Sequence, residues 1–453
     1  MHLEPRRNDL EMSRRSLQFT PRHGHLLVWS AGVIVALAAC GQSAATHGHP
    51  TGTSGAASDS SGGPGASQPG GLNSAAPHTT DTPGGVSRGI DLSSVPTSGA
   101  TPTAGSTAAA TAQPTATPVP TPRPAPPGTR NKFLWPFSST SIWNMPIGKG
   151  AVYVPAHIAP PTIQTLTSDQ DIIIMDPTAP LTPLVHNGAG WGGGNRCTAS
   201  GAPLISVPIP ADFMVSSNSH NNALAVVMPD GQTVIQGQPF ARCTPGGPAT
   251  ALSLAPSDNL YTSGILGAHG GSGLSSLGGT IRLNELVAGG EIRHALKVNV
   301  DAATDLFPSP GFRWPAIRHD SCAPACYGGT VPAVEMGSLL AIPASVNINA
   351  LGLETAPGRM LAWTLQNYGA YIADNTARSV FSIETEESPS GSVVTQFQQT
   401  WGYPFQAAAG SSTPWSHDIN VILANLAVVA NNGPASIGGG GTPLQPLAPP
   451  IGN

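Results

Sequence analysis

The sequence has little charge and no basic excess. Of its 453 residues, 19 are Lys or Arg and 24 are Asp or Glu, which gives a formal net charge of −5. From residue 131 onward the count is 11 basic against 18 acidic residues. Because nucleic acids are bound through a basic surface, this balance argues against a nucleic-acid partner. Most of the remaining polar residues are uncharged, and such surfaces suit neutral or weakly charged glycans.

Several motifs are also missing. After residue 130 there is no Gly-x-Ser-x-Gly sequence, so a nucleophile-elbow esterase has no support. The glycines around His269 lack the Lys-Ser or Lys-Thr pair of a phosphate-binding loop, which argues against nucleotide binding. No repeat of about 40 residues is visible, which argues against a β-propeller.

The first 39 residues are typical of a bacterial lipoprotein signal. Arginines and no lysine precede an apolar run at residues 26–39, and small residues lead into Cys40. At about 1.5 Å per residue this run spans roughly 21 Å, which is short of the ~30 Å hydrocarbon core of a membrane. We therefore expect cleavage before Cys40 and lipidation of that residue, which places the chain on the outer side of the cytoplasmic membrane. Ser13-Arg14-Arg15 matches part of a twin-arginine signal, so the export route, Sec or twin-arginine, stays open.

Residues 40–130 are expected to be a disordered tether. They are almost entirely Gly, Ser, Ala, Thr and Pro, and they contain no aromatic residue. Such a segment cannot bury enough apolar surface to offset its ordering entropy. With a mean reach of roughly 50 Å, the tether would let a folded domain work away from the membrane, in the cell wall or an external matrix.

Residues 131–453 are expected to form one mainly β domain, either jelly-roll-like or a sandwich. Short apolar segments separated by turn residues run through this part of the chain. Residues 223–228 and 232–238 predict a hairpin about Asp230-Gly231. Further strands are predicted at residues 292–300, 339–342, 370–374 and 380–383.

One or two short helices are expected in the same domain. Residues 357–368 contain helix-forming residues, place Leu361, Leu365 and Tyr368 on one face, and stop at Gly369, a residue suited to a helix end. Residues 283–288 predict a shorter helical turn.

Four cysteines follow Cys40, an even number that predicts two disulfides in an oxidising compartment. Cys322 and Cys326 bracket three residues and are expected to pair with each other. Cys197 and Cys243 would then close a second loop. A four-cysteine zinc site is the alternative, although zinc cysteines usually come as two closely spaced pairs.

An ordered series of motifs runs through the middle of the domain. In chain order these are HGGSGLS at residues 269–275, GGTIR at 278–282, HALK at 294–297, RWPA at 313–316 and YGAY at 368–371. In order and spacing the series resembles a group of exported bacterial proteins whose activity is uncharacterised. The likeness covers most of the region after residue 130 and implies a single domain without implying a reaction. The stretch around His319 departs from the group's pattern, which leaves His319 without an assigned role.

Histidines are the leading candidates for proton transfer, because their unperturbed pKa lies near neutrality. His220 lies among amide side chains just before a predicted strand, and His294 lies on another. Glu285 is nine residues before His294 on a turn that leads into the same strand, so the two are expected to meet as an acid and base pair. The alternative is that these residues form only structural hydrogen bonds.

Substrate contacts are expected from aromatic, glycine-rich and basic positions. Trp191 lies among glycines and is the best candidate for an exposed ring that stacks on a sugar. Asp320 and Asp374 lie near turns, where carboxylates most often cap the backbone. The predicted substrate contacts are Trp191, His269, Arg282 and Tyr327.

Together these features favour a surface-anchored, monomeric extracellular lipoprotein that acts on a polysaccharide as a lyase or a hydrolase. Hydrolysis requires two carboxyl groups facing one cleft, whereas elimination requires a His or Tyr base and a positive group such as Arg282. A non-catalytic glycan-binding surface protein and a histidine metal-site protein are the alternatives. The residues identify no cofactor and no set of metal ligands. The expected partner is a wall or matrix glycan, and the membrane is contacted through the lipid alone.

Overall fold

Strands make up most of the regular structure in the computed structural model, which describes residues 128–218 and 220–452. The expectation of a mainly β domain is confirmed, and the arrangement is consistent with a sandwich-like domain. The predicted signal, Cys40 and nearly all of the predicted tether lie outside the described residues and stay predictions. Within the two described ranges, no helix is both long and apolar enough to cross a membrane.

Strands and helices follow one another along these ranges in a mixed order. The strands are β1 (Tyr153–Pro155), β2 (Gln164–Ile174), β3 (Leu181–His186), β4 (Pro203–Pro208), β5 (Ala223–Val227), β6 (Thr233–Gln238), β7 (Ala249–Ala251), β8 (Ser253–Leu254), β9 (Asp258–Asn259), β10 (Leu266–His269), β11 (Leu296–Val300), β12 (Leu339–Ala341), β13 (Ala370–Asn375), β14 (Val380–Ser388), β15 (Gly391–Ser392), β16 (Ala407–Ala408) and β17 (Ala427–Val429). The α-helices are α1 (Ala356–Asn367), α2 (Val393–Trp401) and α3 (Pro414–Ala424).

The strands form a large mixed sheet and a small one. The large sheet has 13 strands, with the order β12-β13-β11-β14-β2-β5-β6 across its centre. Three neighbouring pairs are parallel, namely β11 with β13, β14 with β2, and β2 with β5. Parallel neighbours need a long crossover connection, and α1 lies in the one between β11 and β13. The small sheet has the order β4-β3-β7.

The large sheet is covered on both faces. Because side chains alternate along a strand, one face presents Ile172 and Leu224 to Leu184 of the small sheet, and Val298 to Leu361 of α1. The opposite face carries an apolar cluster that includes Phe137, Trp143, Ile173, Ala225 and Tyr371. Charged side chains near the centre of this sheet are therefore shielded from water, as is usual for parallel strands.

The predicted hairpin is confirmed. β5 and β6 pair antiparallel, with Val227 opposite Val234. Asp230 Oδ1 accepts hydrogen bonds from the backbone N–H groups of Gln232 and Thr233, each at 2.9 Å. The capped turn fixes the register of the two strands. The other predicted strands are also found, as β11, β12, β13 and β14, although β11 begins only at Leu296 and β14 continues to Ser388.

The helix predicted at residues 357–368 is confirmed as α1. Thr355 caps its first turn by accepting a hydrogen bond from the Gly358 N–H at 3.0 Å, and Gly369 follows its end with a φ of 76°. The helical turn predicted at residues 283–288 does not become a helix. Asn284 there has a φ of 71°, which a right-handed helix cannot contain.

Two further helices, α2 and α3, bring the total within the described ranges to three, instead of the one or two expected. Each begins after a capping hydroxyl, from Ser392 and Thr413 respectively. The start of α2 is Val-Val-Thr, and these β-branched residues favour strands, which hides the helix from a propensity argument.

Both predicted disulfides are present, Cys197–Cys243 and Cys322–Cys326. The first joins the loop after β3 to the loop after β6, and the second closes a short loop between β11 and β12. The four sulfurs are thus paired, and the alternative four-cysteine zinc site does not form.

Candidate active-site cleft

A cleft of about 890 Å³ opens over the centre of the large sheet. Its floor is formed by β2, β11, β13 and β14, at positions where polar residues interrupt the apolar pattern. Its walls come from the loops after β3, β4 and β10 and from the segment around Asp320. The volume is typical of a site for a small substrate or part of a larger one. Its polar and aromatic lining comprises Asp169, Trp191, His220, Asn221, Gln238, Asn299, Arg318, His319, Asp320, Asp374 and Arg378.

An ion pair is buried beneath the cleft, on the same face of the sheet. Asp171 Oδ2 of β2 lies 2.8 Å from Lys297 Nζ of β11. Lys297 is fully buried, and its ammonium group also donates to the Ser275 carbonyl at 2.6 Å. Burial raises the pKa of Asp171 to about 6, and the positive charge of Lys297 limits that rise. β2 and β11, which are separated in the sheet by β14, thus bring opposite charges together where water does not reach.

His269 and Glu384 extend these buried charges toward the cleft. His269 Nε2 lies 3.1 Å from Glu384 Oε2 and 3.5 Å from Asp171 Oδ1, yet none of these three atoms has a hydrogen-bond partner. Burial lowers the pKa of His269, and the positive charge of Lys297 lowers it further. Burial and the negative charge of Asp169 raise the pKa of Glu384. Asp169, His269 and Glu384 each offer an atom that could bind a metal ion, and these atoms lie within 4.8 Å of one another.

Two carboxyl groups, those of Asp320 and Asp374, flank a pair of glycines in the cleft wall. Asp374 Oδ1 accepts a hydrogen bond from the Gly271 N–H at 2.9 Å. A Cβ on Gly270 would lie 2.1 Å from Asp374 Cγ, and a Cβ on Gly271 would lie 2.6 Å from Asp320 Oδ1. Only glycine therefore lets the backbone run this close to both groups. Burial and the negative charge of Asp320 raise the pKa of Asp374 to about 7.

Asn221 connects an aromatic ring with the carboxyl groups of the cleft. Its Nδ2 donates to Asp169 Oδ2 at 2.6 Å and to Asp374 Oδ2 at 2.8 Å. Its Oδ1 accepts a hydrogen bond from Trp191 Nε1 at 2.9 Å. Trp191 is 44% exposed, so an aromatic surface lies beside groups that are capable of acid and base chemistry.

Arg196 holds the two loops that carry Trp191 and His220. Its Nε donates to the Gly190 carbonyl at 2.8 Å, and its Nη1 donates to the His220 carbonyl at 2.6 Å. The side chain is only 2% exposed, and the next residue, Cys197, is in a disulfide. This wall of the cleft is therefore fixed by a buried guanidinium group and a covalent bond.

Of the predicted catalytic residues, His220 lines the cleft, whereas His294 and Glu285 do not. His220 Nδ1 lies 4.0 Å from Asp169 Oδ1, and its side chain is 42% exposed. The expected proximity of Glu285 and His294 is found, with Glu285 Oε2 3.1 Å from His294 Nε2. Both side chains are largely enclosed and lie outside the cleft lining, so of the three predicted catalytic residues only His220 lies at the cleft.

Three of the four predicted substrate contacts do not line the cleft. His269 has no exposed surface. The Nε of Arg282, which is also buried, donates to Glu386 Oε2 at 2.7 Å. Tyr327 is buried as well, and its hydroxyl donates to Asp320 Oδ2 at 2.8 Å. His269 lies beside the buried Glu384, Arg282 binds Glu386, and Tyr327 orients the cleft residue Asp320. None of the three lies in the cleft lining, so a substrate in the cleft would not touch them.

Sequence patterns alone do not single out Asp169, Asp171 and Glu384 as site residues, although a signal exists. Asp169 and Asp171 share one face of a strand that ends in three isoleucines, and Lys297 and Asn299 share one face of β11. Polar or charged side chains that lie two residues apart on a buried strand must find hydrogen-bond or charge partners within the fold. Such a spacing therefore indicates a buried polar cluster.

Comparisons of the chain with protein-family models, with curated proteins and with solved structures give no match. The resemblance to a group of exported bacterial proteins accordingly stays a prediction. The function has to be argued from the chemistry of the cleft itself.

Proposed function

We propose that the chain is an extracellular lipoprotein, anchored at Cys40, whose cleft hydrolyses a polysaccharide of the cell wall or matrix. The observation that carries the proposal is the pair of carboxyl groups, Asp320 and Asp374, beside an exposed tryptophan in one open cleft. Hydrolysis of a glycosidic bond needs one carboxyl group that donates a proton and a second that activates water or attacks the sugar.

Asp374 suits the role of proton donor. Its pKa is raised to about 7 by burial and by the negative charge of Asp320. A carboxyl group with such a pKa keeps its proton near neutral pH and can pass it to the oxygen of the departing sugar. The hydrogen bonds from Gly271 and Asn221 hold the group in one orientation.

Asp320 suits the complementary role. Tyr327 is buried, and its hydroxyl donates to Asp320 Oδ2 at 2.8 Å, which orients the carboxylate at the cleft wall. A carboxylate held in this way can take a proton from water or attack the sugar directly. If water attacks, its oxygen bonds to the sugar as the bond to the departing sugar breaks, and solvent then takes the proton from Asp320 and returns one to Asp374. If Asp320 attacks, water later breaks the bond between the sugar and Asp320 and gives its proton to Asp374.

Sugar binding is supported by the rest of the lining. The exposed face of Trp191 offers a stacking surface, and its orientation is set by the hydrogen bond to Asn221. Asn299 and Gln238 add neutral amide groups to the cleft surface. Amides and hydroxyls exchange hydrogen bonds readily, which fits a polymer rich in hydroxyl groups.

Elimination is the second candidate reaction, because Arg318 and Arg378 also line the cleft. Each could neutralise the carboxylate of an acidic sugar while the exposed His220 removes a proton. The products differ, since elimination leaves a carbon–carbon double bond in the sugar and hydrolysis does not.

The test is turnover of a panel of wall and matrix polysaccharides by the full chain. New reducing ends without a double bond are expected on at least one polymer. Asp374→Asn and Asp320→Asn should each lower kcat by about 100-fold or more, because each removes a proton-transfer group. Asp176→Asn is the matched control, since Asp176 is an exposed turn residue outside the cleft, and its kcat should equal that of the wild type.

Three results would change the assignment. Products with a double bond, lost in His220→Gln, would identify a lyase. Binding of a polymer without turnover, lost in Trp191→Ala, would identify a non-catalytic glycan-binding protein. Full activity in both aspartate variants would contradict the carboxyl-pair mechanism.

A further inference from the structure

One cluster beneath the cleft is not used by the proposed hydrolysis. Asp169, His269 and Glu384 come from β2, β10 and β14, and their potential ligand atoms lie within 4.8 Å of one another. His269 and Glu384 are fully buried, while the Asp169 side chain is 14% exposed and lines the cleft. The cluster therefore has a closed side within the protein and an open side toward the cleft.

Buried polar atoms in this cluster lack hydrogen-bond partners. They are His269 Nδ1, His269 Nε2, Glu384 Oε2, Asp171 Oδ1 and Asn299 Oδ1. Buried polar atoms are nearly always paired in native proteins, so several unpaired ones at one place indicate a missing partner. Three of the five atoms are carboxyl or amide oxygens, which serve as acceptors, and the imidazole nitrogens can serve as metal ligands. These unpaired atoms are therefore suited to binding a cation rather than a further hydrogen-bond acceptor.

The distances also fit a shared ion. His269 Nε2 lies 3.1 Å from Glu384 Oε2, but the pair does not have the geometry of a hydrogen bond. Nitrogen and oxygen ligands lie about 2.0–2.2 Å from Zn²⁺, which places neighbouring ligand atoms roughly 3.0–3.5 Å from each other. The two atoms are therefore spaced as two ligands of one ion would be.

Charge gives an independent reason for a cation. Three carboxyl side chains, those of Asp169, Asp171 and Glu384, lie around His269, and within the described residues the positive groups beside them are the Lys297 ammonium group and the Arg196 guanidinium group near Asp169. The Lys297 Nζ is already bound to Asp171 and to the Ser275 carbonyl. Excess negative charge in a buried region is unfavourable unless it is compensated.

We propose that Asp169, His269 and Glu384 form a binding site for one divalent transition-metal ion at the floor of the cleft. One imidazole and two carboxylates suit Zn²⁺ or Mn²⁺. The exposure of Asp169 leaves the remaining coordination positions on the cleft side, where water or a sugar hydroxyl would complete them. Asn299 and Asn221, which donate to the carboxylates, hold the ligands in orientation.

The proposal does not require the cleft to be catalytic, so the two ideas can fail separately. Loss of metal binding would leave the assay of Asp374 and Asp320 variants unaffected as a test of hydrolysis. Conversely, a protein without turnover on any polymer would still bind the ion.

The experiment measures metal binding by the full chain. The purified protein is stripped with a chelator, and Zn²⁺ and Mn²⁺ are titrated separately in a calorimeter, with the bound metal counted by elemental analysis after dialysis. One ion per chain is expected, with a rise in Tm on binding. Asp169→Asn and Glu384→Gln keep the side-chain shape, and each should weaken binding by about 100-fold or more.

His269→Gln tests the imidazole, and Cu²⁺ is used as a second probe because its magnetic resonance spectrum shows coupling to a bound nitrogen. One coupled imidazole nitrogen is expected in the wild type and none in a folded His269→Gln variant. The control is Glu354→Gln, which changes an exposed carboxylate that does not line the cleft. Its affinity should stay within about threefold of the wild type.

Two outcomes would overturn the proposal. One is the absence of stoichiometric binding of either metal to folded, stripped wild type. The other is binding that Asp169→Asn and Glu384→Gln leave unchanged, since the ion would then lie elsewhere. Circular dichroism of each variant separates a lost ligand from a lost fold.

Discussion

Replacing Lys297 with methionine removes the ammonium group that lies beside the carboxyl groups under the cleft. Lys297 is fully buried, with its Nζ 2.8 Å from Asp171 Oδ2 and 2.6 Å from the Ser275 carbonyl. Methionine retains most of the apolar contacts of the side-chain stem but loses the charge and both hydrogen bonds. Asp171 then becomes a buried carboxylate without its counterion.

The size of the effect follows from that burial. Removing one partner of a buried ion pair typically costs about 3–5 kcal/mol. We expect the free energy of unfolding of Lys297→Met to fall by this amount, which corresponds to a decrease in Tm of roughly 4–7 °C for a domain of this size. The double variant Asp171→Asn/Lys297→Met has no unpaired charge and should recover at least about 2 kcal/mol of the loss.

The measurement is urea unfolding followed by circular dichroism, together with thermal melts, for the wild type and the variants at one pH. Lys149→Met removes an exposed lysine and serves as the control, with an expected change within about 0.5 kcal/mol. A loss of less than about 1 kcal/mol in Lys297→Met would refute the reasoning, as would a double variant no more stable than the single one.

Three further predictions concern the cleft wall and the buried histidine. Gly270→Ala places a Cβ 2.1 Å from Asp374 Cγ and should abolish turnover. The control is Gly246→Ala, which is also at positive φ but has no atom within 4 Å of the added Cβ, so turnover should stay intact. Equal turnover of the two variants in a kinetic assay would contradict the importance of the close approach between Gly270 and Asp374. If Asp374 is the acid, kcat should fall as the pH rises through about 7, so a pH profile that stays flat up to about pH 9 would exclude it. Burial alone would lower the pKa of His294, but the Glu285 carboxylate raises it overall, so the pair stabilises the fold at low pH and this contribution is lost as the pH rises through the folded-state pKa. Glu285→Gln should therefore destabilise the protein by about 1–2 kcal/mol more near pH 5.5 than near pH 9, and urea unfolding at the two values would show equal losses if the pairing were unimportant.

Local patterns predict much of the secondary structure. The hairpin of β5 and β6 and the helix α1 depend on turn and capping residues that lie within the segment itself. The contact between Glu285 and His294 is predictable for the same reason, because nine residues and one turn separate them. Where the turn or capping residues that define an element lie within a short stretch of chain, the sequence is sufficient to predict that element.

The cleft depends on contacts between distant parts of the chain. Asp169 and Glu384 are brought together because β2 and β14 pair in parallel, and nothing in either strand alone specifies that partner. Turn chemistry favours a capping role for Asp320 and Asp374, and the structure does give Asp374 backbone hydrogen bonds. Asp374 therefore both accepts backbone hydrogen bonds and lines the cleft. The second role cannot be predicted from the local sequence, because it depends on how the strands of the sheet pair.

The Cys197–Cys243 bond makes the shape of one cleft wall depend on an oxidising environment. Arg196, which is next to Cys197, donates hydrogen bonds to the carbonyl groups of Gly190 and His220. These two residues lie in the loops that form one wall of the cleft. In a reducing compartment this disulfide would not form, and the two loops that carry Trp191 and His220 would be less firmly held. If the chain is exported as proposed, the cleft wall would become fixed only outside the cytoplasmic membrane. The proposed polysaccharide substrate lies on that same side.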